Sequence, residues 1–174
     1  MRKIKYFVAS SLDGFISRLD GSVDWLFMDQ DYGMTEFFRS VDVAVMGRKT
    51  YDKMLELAPE QAFYPGMQNV VFSRSRPNDA KGAVKFVSDD VEAWAKGVRS
   101  KSGKDIWLVG GGSLATQFLQ KRLVDEIGLA IHPRLLGQGI LLFPQGYPET
   151  ELELSRCEQH STGLIQVFYQ VKSG

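Results

Sequence analysis

Two short stretches of this chain set polar groups and bare backbone where an apolar run stops. The first is V-A-V-M-G-R-K-T, Val43 to Thr50, in which Gly47 is followed by Arg48, Lys49 and Thr50. A guanidinium, an ammonium and a hydroxyl beside a glycine are all good phosphate partners. The second is I-W-L-V-G-G-G-S-L, Ile106 to Leu114, where Gly110, Gly111 and Gly112 precede Ser113. Backbone without side chains can approach a pyrophosphate, and the N–H groups and dipole of a following helix favour its charge. Each stretch alone has an ordinary explanation, a solvated helix start in one case and a structural turn in the other. The first is not a Walker loop, because Asp42 stands where that motif needs a glycine. The second meets the dinucleotide fingerprint in its looser form, with Gly110, Gly112 and Ala115 giving G-x-G-x-x-A. Two phosphate-competent turns in one small chain are better evidence than either alone.

Other residues invite chemistry less specifically. Trp25 and Tyr32 could stack on a flat substrate, or equally be core beneath a loop. Asp13 lies in a D-G turn, where Asp is favoured for backbone reasons. With only His132 and His160, and no supporting Cys or carboxylate spacing, no metal is expected. Cys157 is the sole cysteine, so no internal disulfide can form. It is expected to be a packed side chain within a strand.

Composition bounds the partners. The chain has 174 residues, 44% hydrophobic, with 21 basic side chains against 21 acidic ones. That length predicts one domain, residues 1–174, with a real core. Zero net charge offers no overall field to attract nucleic acid or an anionic membrane, so neither is expected as a partner. No apolar run approaches the ~20 residues of a membrane span, and the N-terminus reads as a strand, so a cytoplasmic location is expected.

The elements that must hold these turns can be read from periodicity. Ile4, Tyr6 and Val8 alternate with Lys3, Lys5 and Phe7, predicting a first strand that ends near Ala9. Residues 10–31 form a long loop rich in Gly, Asp and Ser, uncommon unless it has a job. A short helix is predicted over Met34 to Ser40, a buried strand over Asp42 to Met46, and a helix over Arg48 to Leu57 with Pro59 beyond its end. Strands are predicted at Gln68 to Ser73 and Ala83 to Val87. A helix capped by Ser88 follows, with Val91, Trp94 and Val98 on one face. Ile106 to Val109 leads into the glycine turn and a helix, Val124 to Ile131 is another strand, and Glu151 to His160 with Leu164 to Val171 makes a closing hairpin. Alternating strands and helices imply a mostly parallel α/β sheet with helices on both faces, to which the hairpin adds an antiparallel edge.

In that order the segments resemble the dihydrofolate reductase family, in particular a bacterial branch similar to the C-terminal reductase domain of the riboflavin-biosynthesis protein RibD. The resemblance is carried by S-L-D-G-F-I-S (Ser11 to Ser17), D-W-L (Asp24 to Leu26), M-G-R-K-T-Y (Met46 to Tyr51) and V-F-S-R (Val71 to Arg74). It continues through L-V-G-G-G-S-L (Leu108 to Leu114), L-V-D-E (Leu123 to Glu126) and P-R-L-L-G-Q-G-I-L-L-F-P (Pro133 to Pro144). It implies a dihydrofolate reductase-like three-layer fold and an NADPH cofactor. By that resemblance Gly47, Arg48, Lys49 and Thr50 contact the cofactor's phosphates, and Ser73 and Arg74 lie by the adenosine 2′-phosphate. Gly110, Gly111, Gly112, Ser113 and Leu114 take the pyrophosphate side, while Ala9, Phe15 and Ile16 form the wall beside the nicotinamide. It also implies a homodimer joined through the closing strands and residues 133–144.

Dihydrofolate reductases carry a buried acid on the helix after their W-x-L segment, needed to protonate the pterin. The matching stretch here offers Asp31, with Glu36 as the alternative, and Asp31 would equally suit a helix N-terminus. The expected activity is NADPH-dependent reduction of a small flat nitrogen heterocycle, pterin-like or aminopyrimidine-like. The alternatives are the riboflavin-pathway reductase acting on 5-amino-6-(ribosylamino)uracil phosphate and a non-catalytic NADP-binding protein.

Overall fold

The structure is a computed structural model that describes residues 1–57, 63–75 and 84–172. Pro59 and the start of the strand expected at Ala83 lie outside the described residues. In chain order the elements are β1 (Ile4–Ser11), β2 (Phe15–Ser17), α1 (Met34–Ser40), β3 (Val41–Gly47), α2 (Arg48–Leu57), β4 (Gln68–Phe72) and β5 (Val84–Val87). They continue with α3 (Val91–Arg99), β6 (Asp105–Gly110), α4 (Gly112–Gln120), β7 (Glu126–His132), β8 (Ile140–Leu141), β9 (Leu152–Gln159) and β10 (Ile165–Val171).

Eight strands make one sheet in the order β5-β4-β3-β6-β1-β7-β10-β9. Every pairing from β5 to β7 is parallel, and the hairpin joins antiparallel through β10 on β7. Alternation along the strands divides the core into two layers. Ile4 and Tyr6 of β1, Val43 and Val45 of β3, and Ile106 and Leu108 of β6 face α3 and α4. Phe7, Ala44, Trp107 and Ala130 face the other way, against Phe37 and Phe38 of α1, and Met46 and Val71 meet Met54 and Leu55 of α2. This is the three-layer, mostly parallel arrangement that the periodicity predicts, with the period of two setting which side chain enters which layer.

The helices Met34–Ser40 and Arg48–Leu57 have the predicted limits. Three expectations are corrected. Ser88 is not the cap of α3: Asp90 is, its carboxylate accepting from the amides of Glu92 and Ala93, because the helix begins at Val91 and the cap must directly precede it. Cys157 is exposed and not packed, since β9 is the edge strand and seven of its eight residues are exposed. The long loop also contains a strand the sequence hides: β2 pairs with β8 as a separate two-stranded sheet. Both partners are too short for alternation to register.

That small sheet fixes the loop near the end of β1. A side chain on Gly139 would strike the Ser17 carbonyl at 2.3 Å, so β2 and β8 can close only over a glycine. Asp13 adds a clamp: its carboxylate accepts from the amides of Leu136 and Gly137 at 3.1 and 2.7 Å. The Ser11 hydroxyl and these two amides hold its carboxyl below the usual range. Asp13 thus ties the segment after β7 to the turn after β1.

Candidate cofactor and ring site

In an open parallel sheet ligands bind beyond the carboxyl ends of the strands. Five adjacent strands end there with the predicted residues in spatial order. Ser73 and Arg74 follow β4, Gly47 to Thr50 follow β3, Gly110 to Leu114 follow β6, Ala9 to Ser11 close β1, and Ala130 to His132 close β7. At ~4.8 Å per strand, β4 to β1 spans roughly 14 Å, a fitting reach for an extended dinucleotide.

The two glycine turns touch. Met46 pairs with Gly110 across β3 and β6. Gly111 has φ of +83°, and a Cβ there would lie 2.8 Å from the Thr50 hydroxyl oxygen. A Cβ on Gly47 would lie 3.7 Å from that of Leu114. Glycine is therefore required at Gly111 by both conformation and space, and its absence of side chain is what lets the turns close on one another. The amides of Leu114 and Ala115 turn back onto the Gly111 carbonyl, starting α4 directly at the turn. No side chain caps that helix, and neither α2 nor α4 has an acidic residue in its first turn. Two helix N-termini so arranged favour an anion between them.

Positive charge lies on the β4 side. Arg48 pairs with Asp52 at 2.7 Å and holds its guanidinium 5.9 Å from the centre of the Phe86 ring on β5. Lys49 and Arg74 are exposed, while Ser73 is buried with its hydroxyl 3.4 Å from that of Ser75. Toward β1 the surroundings become apolar: Ala9, Phe27, Met34, Phe37, Val109 and Ala130 belong to one cluster. Phe15 pairs with Leu141, and Ile16 packs against the larger core cluster on the opposite layer.

The remaining candidates divide. Trp25 is 3% exposed, with its ring perpendicular to that of His132 at 5.2 Å. It is core beneath the loop, and no face is left free for a ligand to stack on. Tyr32 is half-buried with φ of +49°, and its hydroxyl meets Asp29 at 2.7 Å and Thr162 at 3.2 Å. Asp31 is exposed and occupied at the start of α1, accepting from the Thr35 amide at 3.1 Å and the Thr35 hydroxyl at 2.6 Å. Glu36 faces a groove of about 370 Å³ between α1 and the β9–β10 hairpin, with Lys5, Glu126, Arg156 and Phe168 among its walls. That groove does not reach the glycine turns. Neither acid belongs to the apolar cluster beside Ala9. His132, which residue type and spacing mark only as too isolated to hold a metal, also stands at this edge. Its position opposite Ser11 at the sheet's end was set by strand register, which periodicity does not give.

The RibD C-terminal domain profile matches residues 2–166. The chain belongs to the RibD C-terminal domain family, a reductase-like family that is NADPH-dependent at the family level. It is 34% identical over 178 residues to the uncharacterized protein YyaP of Bacillus subtilis (strain 168), covering 97% of this chain and 94% of that one. A crystal structure of a putative riboflavin biosynthesis protein from Shewanella sp. PV-4 superposes with a TM-score of 0.85 at 27% identity, covering 99% of this chain and all of that one. The Thermotoga maritima deaminase/5-amino-6-(5-phosphoribosylamino)uracil reductase has a TM-score of 0.76 at 15% identity, a likeness of fold. This chain spans 57% of that protein's length.

Proposed function

We propose that this protein is an NADPH-dependent reductase of a small, flat, nitrogen-containing ring compound, pterin-like or aminopyrimidine-like. The observation that carries the reading is the contact of the two glycine turns, Gly111 against Thr50, beneath two helix N-termini free of acidic residues. The residues fit the cofactor. Gly47 to Thr50 and Gly110 to Leu114 would hold its pyrophosphate, Ser73 and Arg74 its 2′-phosphate, and the apolar ends of β1 and β7 its nicotinamide. Bound there, NADPH would supply a hydride, and Ala9 and Val109 would hold the acceptor.

The chain's own residues bind, orient and exclude water on that side. Reduction of a C=N or C=O group also needs a proton. Asp31 is held by Thr35 and Glu36 faces the groove beside the hairpin, so the proton comes from water at the loop's edge and not from a carboxylic acid. This separates the site from that of a dihydrofolate reductase and supports acceptors polarised enough to react without an enzyme acid. The Shewanella neighbour, described as a putative riboflavin biosynthesis protein, favours a ribosylaminouracil phosphate as the second substrate to try.

Absorbance at the reduced nicotinamide band, followed across a panel of pterins, aminouracils and their ribosyl phosphates, tests the reading. Sustained oxidation with one of them supports catalysis. NADPH binding without turnover on any member makes the protein a carrier or sensor of the cofactor.

A further inference from the structure

The segment between β2 and α1 has no helix or strand of its own, yet a side chain from across the sheet holds it. His132, the last residue of β7, is 3% exposed and pairs in register with Ser11 at the end of β1. Its Nδ1 lies 3.1 Å from the Ala130 carbonyl oxygen, and its Nε2 lies 3.1 Å from the backbone nitrogen of Phe27. An amide N–H only donates and a carbonyl only accepts. Together the two contacts admit one form of the ring, the neutral imidazole with its proton on Nδ1. Trp25 and Phe27 close over that ring, with centroids 5.2 and 5.0 Å away. Phe27 in turn packs into the cluster that contains Ala9 and Ala130, the strand ends assigned to the nicotinamide.

We propose that His132 is a positioning residue: in its Nδ1–H form it latches the Trp25–Phe27 segment as the outer wall of the ring site. Its place in the sheet decides which part of the ligand would feel its loss. β7 is separated from β6 and its glycine turn by β1, and lies farther still from the cationic residues after β3 and β4. Losing the latch disturbs the nicotinamide end and leaves the phosphate end alone. The link to a nicotinamide rests on the cofactor reading above; the latch itself does not.

The test therefore has two arms. In the first, ¹⁵N spectra of the wild-type imidazole at pH 7.5 are expected to show Nδ1 protonated and Nε2 bare, with a slowly exchanging Phe27 amide. His132→Leu should speed that amide's exchange about fivefold, the loss of one buried hydrogen bond. His132→Gln, which keeps an acceptor within reach, should recover part of the protection. In the second arm, binding of NADPH is compared with binding of adenosine 2′,5′-bisphosphate, the half of the cofactor without nicotinamide. His132→Leu should weaken NADPH about fivefold while the bisphosphate stays within about twofold. An Nε2–H or charged imidazole in the wild type, or unchanged Phe27 exchange in His132→Leu, overturns the latch, and the spectra need no variant to fold. Equal weakening of both ligands overturns its assignment to the ring end. If wild-type protein binds neither ligand, the cofactor reading fails and the latch stands or falls on the first arm.

Discussion

Gly111 is where the two glycine turns close on one another. Its positive φ and the 2.8 Å gap to the Thr50 oxygen leave no room for a methyl group. Gly111→Ala should destabilise the fold by about 1–3 kcal/mol, the usual cost of an L-residue in a strained backbone region. The same change should weaken NADPH at least roughly tenfold; urea unfolding and calorimetric titration read the two effects separately. The acids make the opposite prediction. Asp31→Asn and Glu36→Gln should each keep turnover within about threefold, against the hundredfold or more expected of a lost general acid. Steady-state rates on the first active compound decide it, and a dead Asp31→Asn would return the proton to that carboxylate. The glycines and cations were legible in the sequence because their chemistry does not depend on which way a chain turns. Asp31, Trp25 and Cys157 were less so. Each owes its surroundings to the path of a loop or to the last strand of a sheet, and residue type fixes neither.

Among the elements, helices bounded by clear starts and stops were legible: α1 and α2 have the limits expected of them. What periodicity could not show were contacts between distant segments. The pairing of β2 with β8, the Asp13 clamp on Leu136 and Gly137, and the His132 latch on Phe27 all join residues more than a hundred positions apart. The latch makes the loop sensitive to pH. Burial, aided by Arg134, lowers the tendency of His132 to protonate below its ordinary value of 6.5, while the Ala130 and Ser10 backbone works against this. The rings of Trp25 and Phe27 and the serines ending β1, which also meet it, carry no charge. A base whose folded pKa is depressed takes up its proton more readily when unfolded, so acid favours unfolding. The contribution is complete above about pH 7 and declines as pH falls below 6.5. Denaturant midpoints should therefore fall between pH 7.5 and 5.5, and that fall should shrink in His132→Leu. The depressed carboxylates, Asp13, Asp20, Asp24, Asp105 and Glu126, have ordinary values of 3.8 to 4.5 and act in a lower window. A midpoint flat across that range would contradict the latch's neutral form.

For the whole molecule, the hairpin edge and the cofactor edge make separate claims. Leu154 is 55% exposed and Ile165 40%, on a hairpin whose outer strand β9 pairs only with β10 among the described residues. Leu135, Ile140 and Leu141 add apolar surface in the segment before it. An unpaired edge with this much exposed apolar surface favours association, and we propose a homodimer through it. Light scattering at micromolar concentration should give about twice the 19.6 kDa of one chain; a single-chain mass would contradict it. The central claim is that the five strand ends bind NADPH with its 2′-phosphate at Arg74. Calorimetric titration of NADPH and NADH into wild type and Arg74→Ala tests it most directly. NADPH should bind at least roughly tenfold tighter than NADH to the wild type, a difference of about 1.4 kcal/mol. Arg74→Ala should abolish most of that difference while leaving NADH affinity unchanged. Equal affinities in the wild type, or a preference that survives loss of Arg74, would contradict it.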